Sequence, residues 1–381
     1  MFIYFERRLR MNKAWIHRIG SMGMILFLLP FFVTAQVRYS NEFLNLGAGA
    51  RGLGMANTQT ALATDATAVY WNPAGLAHYS KESWKQPPYL RRSAMLMHAE
   101  YFAGIAAYDY AGFAWKTDTR QSLGVNLLRF AIEDIPNTTL LVDDQGNIDY
   151  SRISYFTEAD WALMLSYARE MLHRVDGGML SLGGSVKVIR RRIGDFAGAW
   201  GFGLDLGMHY MSLRWQLGAV LHDVTTTFNA WSYHLSEEER AAFISTGNEL
   251  PENGMEYTLP HLSLGAAWLL PWKEHFSTLF SLDADAYFDG KRHALLSGNT
   301  FSLDPHFGVE TGYKEIVFLR AGIGNFQHET DFDNSEYTSC QINAGLGVCI
   351  KKRLYVDYAF TNLGNVSVAL YSHIFSLRLA F

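Results

Sequence analysis

Over stretch after stretch of this chain, apolar and polar side chains exchange places at every position. In "WGFGLDLGMHY", Trp200, Phe202, Leu204, Leu206, Met208 and Tyr210 oppose Gly201, Gly203, Asp205, Gly207 and His209. In "FSTLFSLDADAYF", Phe276, Phe280, Leu282, Ala284, Ala286 and Phe288 oppose Ser277, Ser281, Asp283 and Asp285. "QINAGLGVCI" sets Ile342, Ala344, Leu346, Val348 and Ile350 against Gln341, Asn343, Gly345 and Gly347. The terminal "YSHIFSLRLAF" sets Tyr371, Phe375, Leu377, Leu379 and Phe381 against Ser372, Ser376 and Arg378. A period of two places the two sets on opposite faces of an extended strand. One face is bulky and apolar, the other small or charged, which is the apolar-out, polar-in pattern of a transmembrane barrel. A soluble sandwich also alternates, but its polar faces look outward and its loops do not sort by length.

Alternation and turn residues together predict about fourteen strands, from 93–102 and 104–116 through 160–170, 213–224 and 258–271 to 371–381. The count is even, and short links ("KE", "KKR") alternate with mostly longer ones such as Asp134–Asp160 and Val224–Thr258. Short turns at one end and long loops at the other are expected of an outer-membrane barrel. Trp161 and Trp200 fall near the long loops and Trp115, Trp215 and Trp272 near the short turns, as two interfacial belts require. Aromatic residues make up 14% of the chain. The fold class is therefore all-β, a transmembrane antiparallel barrel. Past the first few dozen residues the strongest apolar run is "LGAAWLLPW" (Leu264 to Trp272), about half of what a membrane helix needs.

Residues 1–35 read as a signal peptide. The apolar run Met22–Val33 follows Lys13, His17 and Arg18 and ends in Val33-Thr34-Ala35. That gives three parts: signal 1–35, an N-terminal plug segment 36–90, and a barrel 91–381. The expected location is the outer membrane with both termini periplasmic, and the partner of the outer wall is lipid. Residues 1–35 hold five Lys/Arg and one acid, so removing that +4 from a net charge of −5 leaves −9. Such a balance argues against nucleic acid. Cys340 and Cys349 share one predicted strand nine positions apart, about 30 Å at 3.3 Å per residue, beyond disulfide reach.

Within "NLGAGARGLGMANTQTALATDATAVYWNPAGL" stands Gly47-x-Gly49-x-x-Gly52, the spacing of a dinucleotide loop. That motif needs a preceding strand and a βαβ unit, and neither surrounds it. Small residues here serve instead to pack backbone against backbone, as a plug threaded through a lumen too wide for side chains to fill. Asp65 is placed to cap a short helix over Ala66–Trp71. Asn72-Pro73 is placed to start another, with Pro at its first position. Arg51 and Asp65 are candidate ion-pair partners within the plug or to the wall. Inward-facing Asp205, His209, Asp283, Asp285, Asp357 and Arg378 read as a hydrated wall. No nucleophile triad, paired carboxylates or metal-spaced set emerges from the sequence, so neither enzyme activity nor a cofactor is expected. In the long loop, "HLSEEERAAFISTGN" predicts a helix with Ser236 and Glu239 as a capping box and Gly247 as the stop. Leu235, Glu238 and Phe243 on it form a candidate docking surface for another protein, or Phe243 merely staples the loop over the barrel mouth.

The plug stretch resembles the N-terminal signature of the PorV/PorQ family, FadL-like outer-membrane barrels of the type IX secretion system. The matching residues are Phe43-Leu44, Gly49-Ala50-Arg51, Gly54-Met55, Asp65-Ala66 and the block Tyr70-Trp71-Asn72-Pro73-Ala74-Gly75-Leu76. "STGNELPENGMEYTLPHLSLG" (Ser245 to Gly265) is also similar to the family's pattern. On that resemblance Arg51, Asp65, Asn72, Pro73 and Gly75 carry the plug motif. The implied function is a non-enzymatic barrel that binds the C-terminal sorting domain of secreted cargo and passes it from a translocon subunit to the surface attachment machinery. The Asn-Pro-Ala-Gly-Leu block is also similar to fatty-acid-channel relatives, and a FadL-type channel for hydrophobic small molecules is the alternative.

Overall fold

The structure, a computed structural model, describes residues 40–78, 92–142, 146–173, 178–292, 294–330, 336–363 and 371–381. The expected signal peptide, and residues 36–39 and 79–90 of the expected plug segment, lie outside them. Seventeen strand segments follow one another around a single sheet. They are β1 (Arg92–Tyr101), β2 (Ala106–Lys116), β3 (Gln121–Asn137), β4 (Ser154–His173), β5 (Met179–Ile193) and β6 (Ala197–Met211). Next come β7 (Trp215–His222), β8 (Thr227–Tyr233), β9 (Gly254–Thr258), β10 (His261–Trp272), β11 (Phe276–Tyr287) and the two-residue β12 (Leu296–Ser297). The circuit ends with β13 (Ser302–Tyr313), β14 (Val317–Thr330), β15 (Glu336–Ile350), β16 (Leu354–Thr361) and β17 (Ser372–Ala380).

β17 pairs back onto β1, from Ser93 opposite Ala380 to Glu100 opposite His373, so the sheet closes on itself. Closure leaves no unpaired sheet edge, the condition for placing backbone in lipid. Counted around the wall there are fourteen strands. β7 and β8 share one position beside β6, β9 and β10 share the next, and β12 only extends a connection.

The alternation decides which way each strand faces. Along β6, Phe202, Leu204, Leu206 and Met208 are exposed, while Gly203, Asp205, Gly207 and His209 are buried; Leu206 is 54% exposed and Asp205 3%. Turns at one end are tight. Lys314 and Glu315, then Lys351 and Lys352, all take positive φ, and Ile316 N–H and Arg353 N–H close the turns on Tyr313 and Ile350 at 2.9 and 3.1 Å. Two successive positive-φ residues make a type I′ turn, whose twist suits a hairpin.

One segment departs from the sequence reading. The expected loop Val224–Thr258 contains β8 and β9, which rebuild the upper wall beside β6. Between β7 and β8 the chain swings inward at Asp223 and Thr226, both at positive φ, and the ladder resumes only at Thr227 opposite Thr258. The segment "TFNAWSY" mixes polar and aromatic residues on both faces, so period alone does not reveal it as a strand. Two smaller differences concern boundaries. β4 begins at Ser154 rather than near residue 160, and β2 begins at Ala106 rather than at 104, after a turn over Phe102–Gly104. The helix Glu237–Ser245 is present inside the long connection. Ser236 Oγ accepts from Glu239 N–H at 3.2 Å, and Glu239 Oε2 accepts from Ser236 N–H at 2.8 Å.

Candidate functional site

Residues 40–78 run through the lumen as a hatch. Near the long-loop end, Asn229 Nδ2 donates to Asn41 Oδ1 at 2.9 Å, and Asn41 Nδ2 donates to Thr258 Oγ1 at 2.9 Å. At the other end, His78 Nε2 lies 2.7 Å from Ser181 Oγ near the start of β5. The hatch leans on one sector of the wall. Phe43, Val69, Tyr70 and Leu76 pack with Met95, Met97 and Tyr101 of β1, Tyr108 and Tyr110 of β2, Leu128 of β3 and Ile374 of β17.

Elsewhere the contact is backbone to backbone. Inward-facing glycines on successive strands leave room for it: Gly183 faces Pro73 and Ala74, Gly207 faces Asn72, and Gly218 faces Thr60. Gly265 faces Ala61, Gly308 faces Thr58 and Met55, and Gly322 faces Met55 and Ala56. A Cβ at Gly183 would sit 2.5 Å from Ala74 N, closer than atoms pack. The small inward residues seen in the alternation are thus the seat of the hatch.

Close approach brings wall polar groups onto hatch backbone that would otherwise be buried unpaired. Asp283 Oδ2 accepts from Thr60 N–H at 2.8 Å, His209 Nε2 contacts Ala61 O at 2.7 Å, and Tyr110 OH donates to Ala66 O at 2.8 Å. Ser181 Oγ donates to Ala74 O at 2.7 Å, and Asn343 Nδ2 donates to Leu53 O at 2.9 Å. Of the residues read as a hydrated wall, Asp205, His209, Asp283, Asp357 and Arg378 are instead bonded to the hatch or to wall cations. The hatch fills the space that water was expected to occupy. Asp205, Asp283 and Asp285 also border the open volume that remains.

The plug-motif residues Arg51, Asp65, Asn72, Pro73 and Gly75 all lie in that hatch. Arg51 and Asp65 pair with the wall and not with each other. Arg51 donates two bonds to Glu310, at 2.8 and 2.9 Å, and Glu310 accepts also from Arg320 at 2.6 Å. Arg320 reaches Asp357 at 2.7 Å, so two cations and two carboxylates form one closed network. Asp65 pairs with Arg378 at 2.7 Å. Asp65 Oδ1 also accepts from Thr67 N–H at 2.8 Å and from Thr67 Oγ1 at 2.6 Å, but the helix that follows is Ala68–Trp71, and its N-cap Thr67 does not cap it with its side chain. Asn72 Nδ2 donates to Thr60 O and Met208 O at 2.8 and 3.1 Å, and its Oδ1 accepts from Ala74 N–H as Pro73 opens a 3-10 turn. Gly75 lies against Ala63 O, where no side chain fits. Gly47 and Gly49 take φ of 104° and 88°, and Gly47 N–H donates to Tyr70 OH at 2.9 Å. Those glycines let the chain bend, and the helix after them, Ala50–Leu53, has four residues rather than a nucleotide-binding length. Leu235, Glu238 and Phe243 lie apart on the β8–β9 connection, with Leu235 and Phe243 half-buried and Glu238 exposed.

Between the hatch and the opposite wall lies a cavity of about 910 Å³. It meets solvent at the long-loop end beside exposed Glu42, Asn45 and His328. The hatch side is mixed, with Leu44, Leu46, Leu53, Tyr70 and Trp71 among polar Ser40, Asn41, Asn45, Asn57 and Thr60, and Tyr101, Phe102 and Met164 of the wall extend its apolar part. The facing wall is polar. Lys187 bridges Asp205, at 2.9 Å, and Asp223; Asp223 N–H donates to Asp205 Oδ1 at 2.9 Å. This knot sits at the break between β7 and β8 and satisfies backbone that the interrupted ladder leaves open. His222 and His261 stack there with ring centres 4.6 Å apart. Lys187, Glu310 and Arg320 went unremarked in the sequence, yet each has the inward parity of its strand, which marks it as a lumen residue.

Among solved structures the barrel is similar to the CymD monoaromatic hydrocarbon channel, with TM-score 0.54 and 14% identity over 88% of this chain and 98% of that one. It is also similar to the Pseudomonas putida toluene transporter TodX, with TM-score 0.52, 14% identity and the same coverage of both chains. At this identity the likeness concerns the fold, that of FadL-like barrels. No protein-family model matches the chain, and no curated protein matches it in sequence.

Proposed function

We propose that this barrel is an outer-membrane channel of the FadL type, admitting small and largely apolar molecules from the long-loop side, with its short turns in the periplasm. The observation that carries this reading is the cavity of about 910 Å³, open at one end and floored by a buried hatch. Its size lies in the range of small-molecule sites, and its lining includes an apolar group of Leu44, Leu46, Leu53, Tyr70, Trp71, Phe102 and Met164. The exterior apolar band supports placement in a bilayer, since Leu206, Phe280, Leu346 and Phe375 are exposed to whatever surrounds the barrel. The two structural relatives named above are described as channel and transporter for aromatic hydrocarbons, which agrees with passage of an apolar solute.

The type IX reading rests on one further observation, the resemblance of two sequence blocks. Five residues of the first block, Arg51, Asp65, Asn72, Pro73 and Gly75, hold the hatch in its seat. They report a hatch, which both kinds of barrel share, and leave cargo binding to the half-buried Leu235 and Phe243 of the outer loop. Purification of the processed protein from solubilised outer membranes separates the two. Bound small molecules released on denaturation, with no retained protein, support the channel. Retention of a translocon subunit and cargo C-terminal domains supports secretion and overturns the channel. Recovery as a soluble periplasmic protein overturns both.

A further inference from the structure

On the outside of the barrel, one line of residues crosses β1 to β6 toward the long-loop side. Each member stands directly opposite the next: His98, Asp109, Arg129, Trp161, Arg190 and Trp200. They face outward, on the parity of exposed neighbours such as Leu96, Leu127, Leu163, Val186 and Phe202. The first three satisfy one another. Asp109 lies 2.7 Å from His98 and 3.5 Å from Arg129, and Arg129 reaches Glu133 at 2.8 Å.

The other half carries a surplus cation. Arg190 holds its guanidinium carbon 5.2 Å from the ring centre of Trp200 and donates to Ala199 O at 3.2 Å; among the described residues no carboxylate pairs with it. Gly198 makes that posture possible, since a Cβ there would meet Arg190 Nη1 at 2.9 Å. Two positions along β5, on the same face, Arg192 is exposed and pairs with Asp195. Two guanidiniums thus share one acid. Arg190 and Trp200 lie three residues from the strand ends Ile193 and Ala197, at the level of the outer tryptophan belt. Toward the short-turn end the wall below them is apolar, with Leu163, Val186, Phe202 and Leu204 exposed. A guanidinium facing lipid without a counter-charge is costly, and an anion at the headgroup level offsets that cost.

We propose that the outer face of β4, β5 and β6 holds a phosphorylated lipid of the outer leaflet, its phosphate on Arg190 and Arg192 and its acyl chains along Leu163, Val186 and Leu204. The planar fork of a guanidinium matches phosphate oxygens, and the Trp200 ring holds that of Arg190 flat against the wall. The occupant has to be anionic at one end and apolar below it. A second copy meeting this face across a two-fold axis would bring the same cations together and be repelled. The assignment goes beyond the channel reading and takes from it only the placement of the short turns in the periplasm.

The test uses two probes, diphosphorylated lipid A and the same glycolipid stripped of both phosphates. Retention on the purified full-length barrel, released from non-ionic detergent, is read by native mass spectrometry, and heat-modifiability on gels confirms assembly of every variant. The expected result is at least tenfold tighter retention of the phosphorylated form. R190Q/R192Q should abolish that preference while the stripped glycolipid is retained as before. R190Q alone, the milder variant, should weaken the phosphorylated form several-fold. R129Q, whose guanidinium is already held by two acids, should retain it like the parent. Equal retention of the two glycolipids, a preference unchanged in both R190Q and R190Q/R192Q, or a loss in R129Q as large as in R190Q/R192Q overturns the assignment. Dimers that persist without lipid and dissociate in R190Q/R192Q give the face to a second copy and overturn it too. Each of these outcomes leaves the channel reading standing, because none of the variants touches the cavity.

Discussion

Replacing Arg51 by Met should release the hatch without dissolving the barrel. The network Arg51–Glu310–Arg320–Asp357 holds two positive and two negative charges and is neutral as a whole. Arg51 belongs to the hatch and the other three to β13, β14 and β16. Removing Arg51 leaves the wall with one net negative charge where Glu310 is 9% and Asp357 4% exposed. Breaking a buried pair costs roughly 3–5 kcal/mol. Arg51 itself is 24% exposed, so the lower end applies. About 3 kcal/mol corresponds to roughly a hundredfold shift between seated and unseated hatch. The assay is ion conductance in planar bilayers, with heat-modifiability on gels confirming an assembled barrel. R51M should conduct more often and for longer than the parent. The double variant R51M/E310Q restores charge balance, leaving Arg320 with Asp357, and should return most of the way to the closed state. If R51M conducts no more than the parent, or if the two changes add instead of compensating, the network does not hold the hatch.

Gly183→Ala puts a methyl 2.5 Å from Ala74 N and 2.6 Å from Pro73 C, contacts that only a shift of the hatch relieves. Overpacking of this kind costs about 1–3 kcal/mol, and the variant should show raised conductance with an unchanged strand content by circular dichroism. Leu206→Arg on the exposed face should lower the stability of the folded barrel by about 2–4 kcal/mol near the bilayer midplane, read from urea titrations in lipid vesicles. In the outer helix, Ser236→Ala removes the Oγ acceptor of Glu239 N–H and should destabilise that segment by about 1 kcal/mol, seen as faster hydrogen exchange over residues 237–245 with the barrel unaffected. Leu235→Ser/Phe243→Ser leaves assembly intact; loss of cargo co-purification would favour the secretion reading, and small-molecule binding should be unchanged.

What the amino-acid sequence determined by itself is the local part of this structure. Alternation assigns a face to each residue before any fold is known, because a strand has only two, and Asp205, Gly207 and His209 could only face together. Turn pairs such as Lys351-Lys352 and the lengths of the links then divide the chain into fourteen wall strands with two unlike ends. The capping box at Ser236 and Glu239 is equally local, a reciprocal bond across three residues. Strand period says nothing about which inward residue meets which. Arg51 finds Glu310 across 259 positions and Asp65 finds Arg378 across 313, because a closed barrel brings every inward face around one axis. The glycines of the wall are legible as small, but their use as a seat exists only once the hatch lies against them. β8 went unseen because "TFNAWSY" puts Thr227, Asn229, Trp231 and Tyr233 on one face and Phe228, Ala230 and Ser232 on the other, so polar and aromatic residues share both faces. The cavity belongs wholly to the tertiary structure, since only the register sets Asp285 opposite Asp304 with His306 between them.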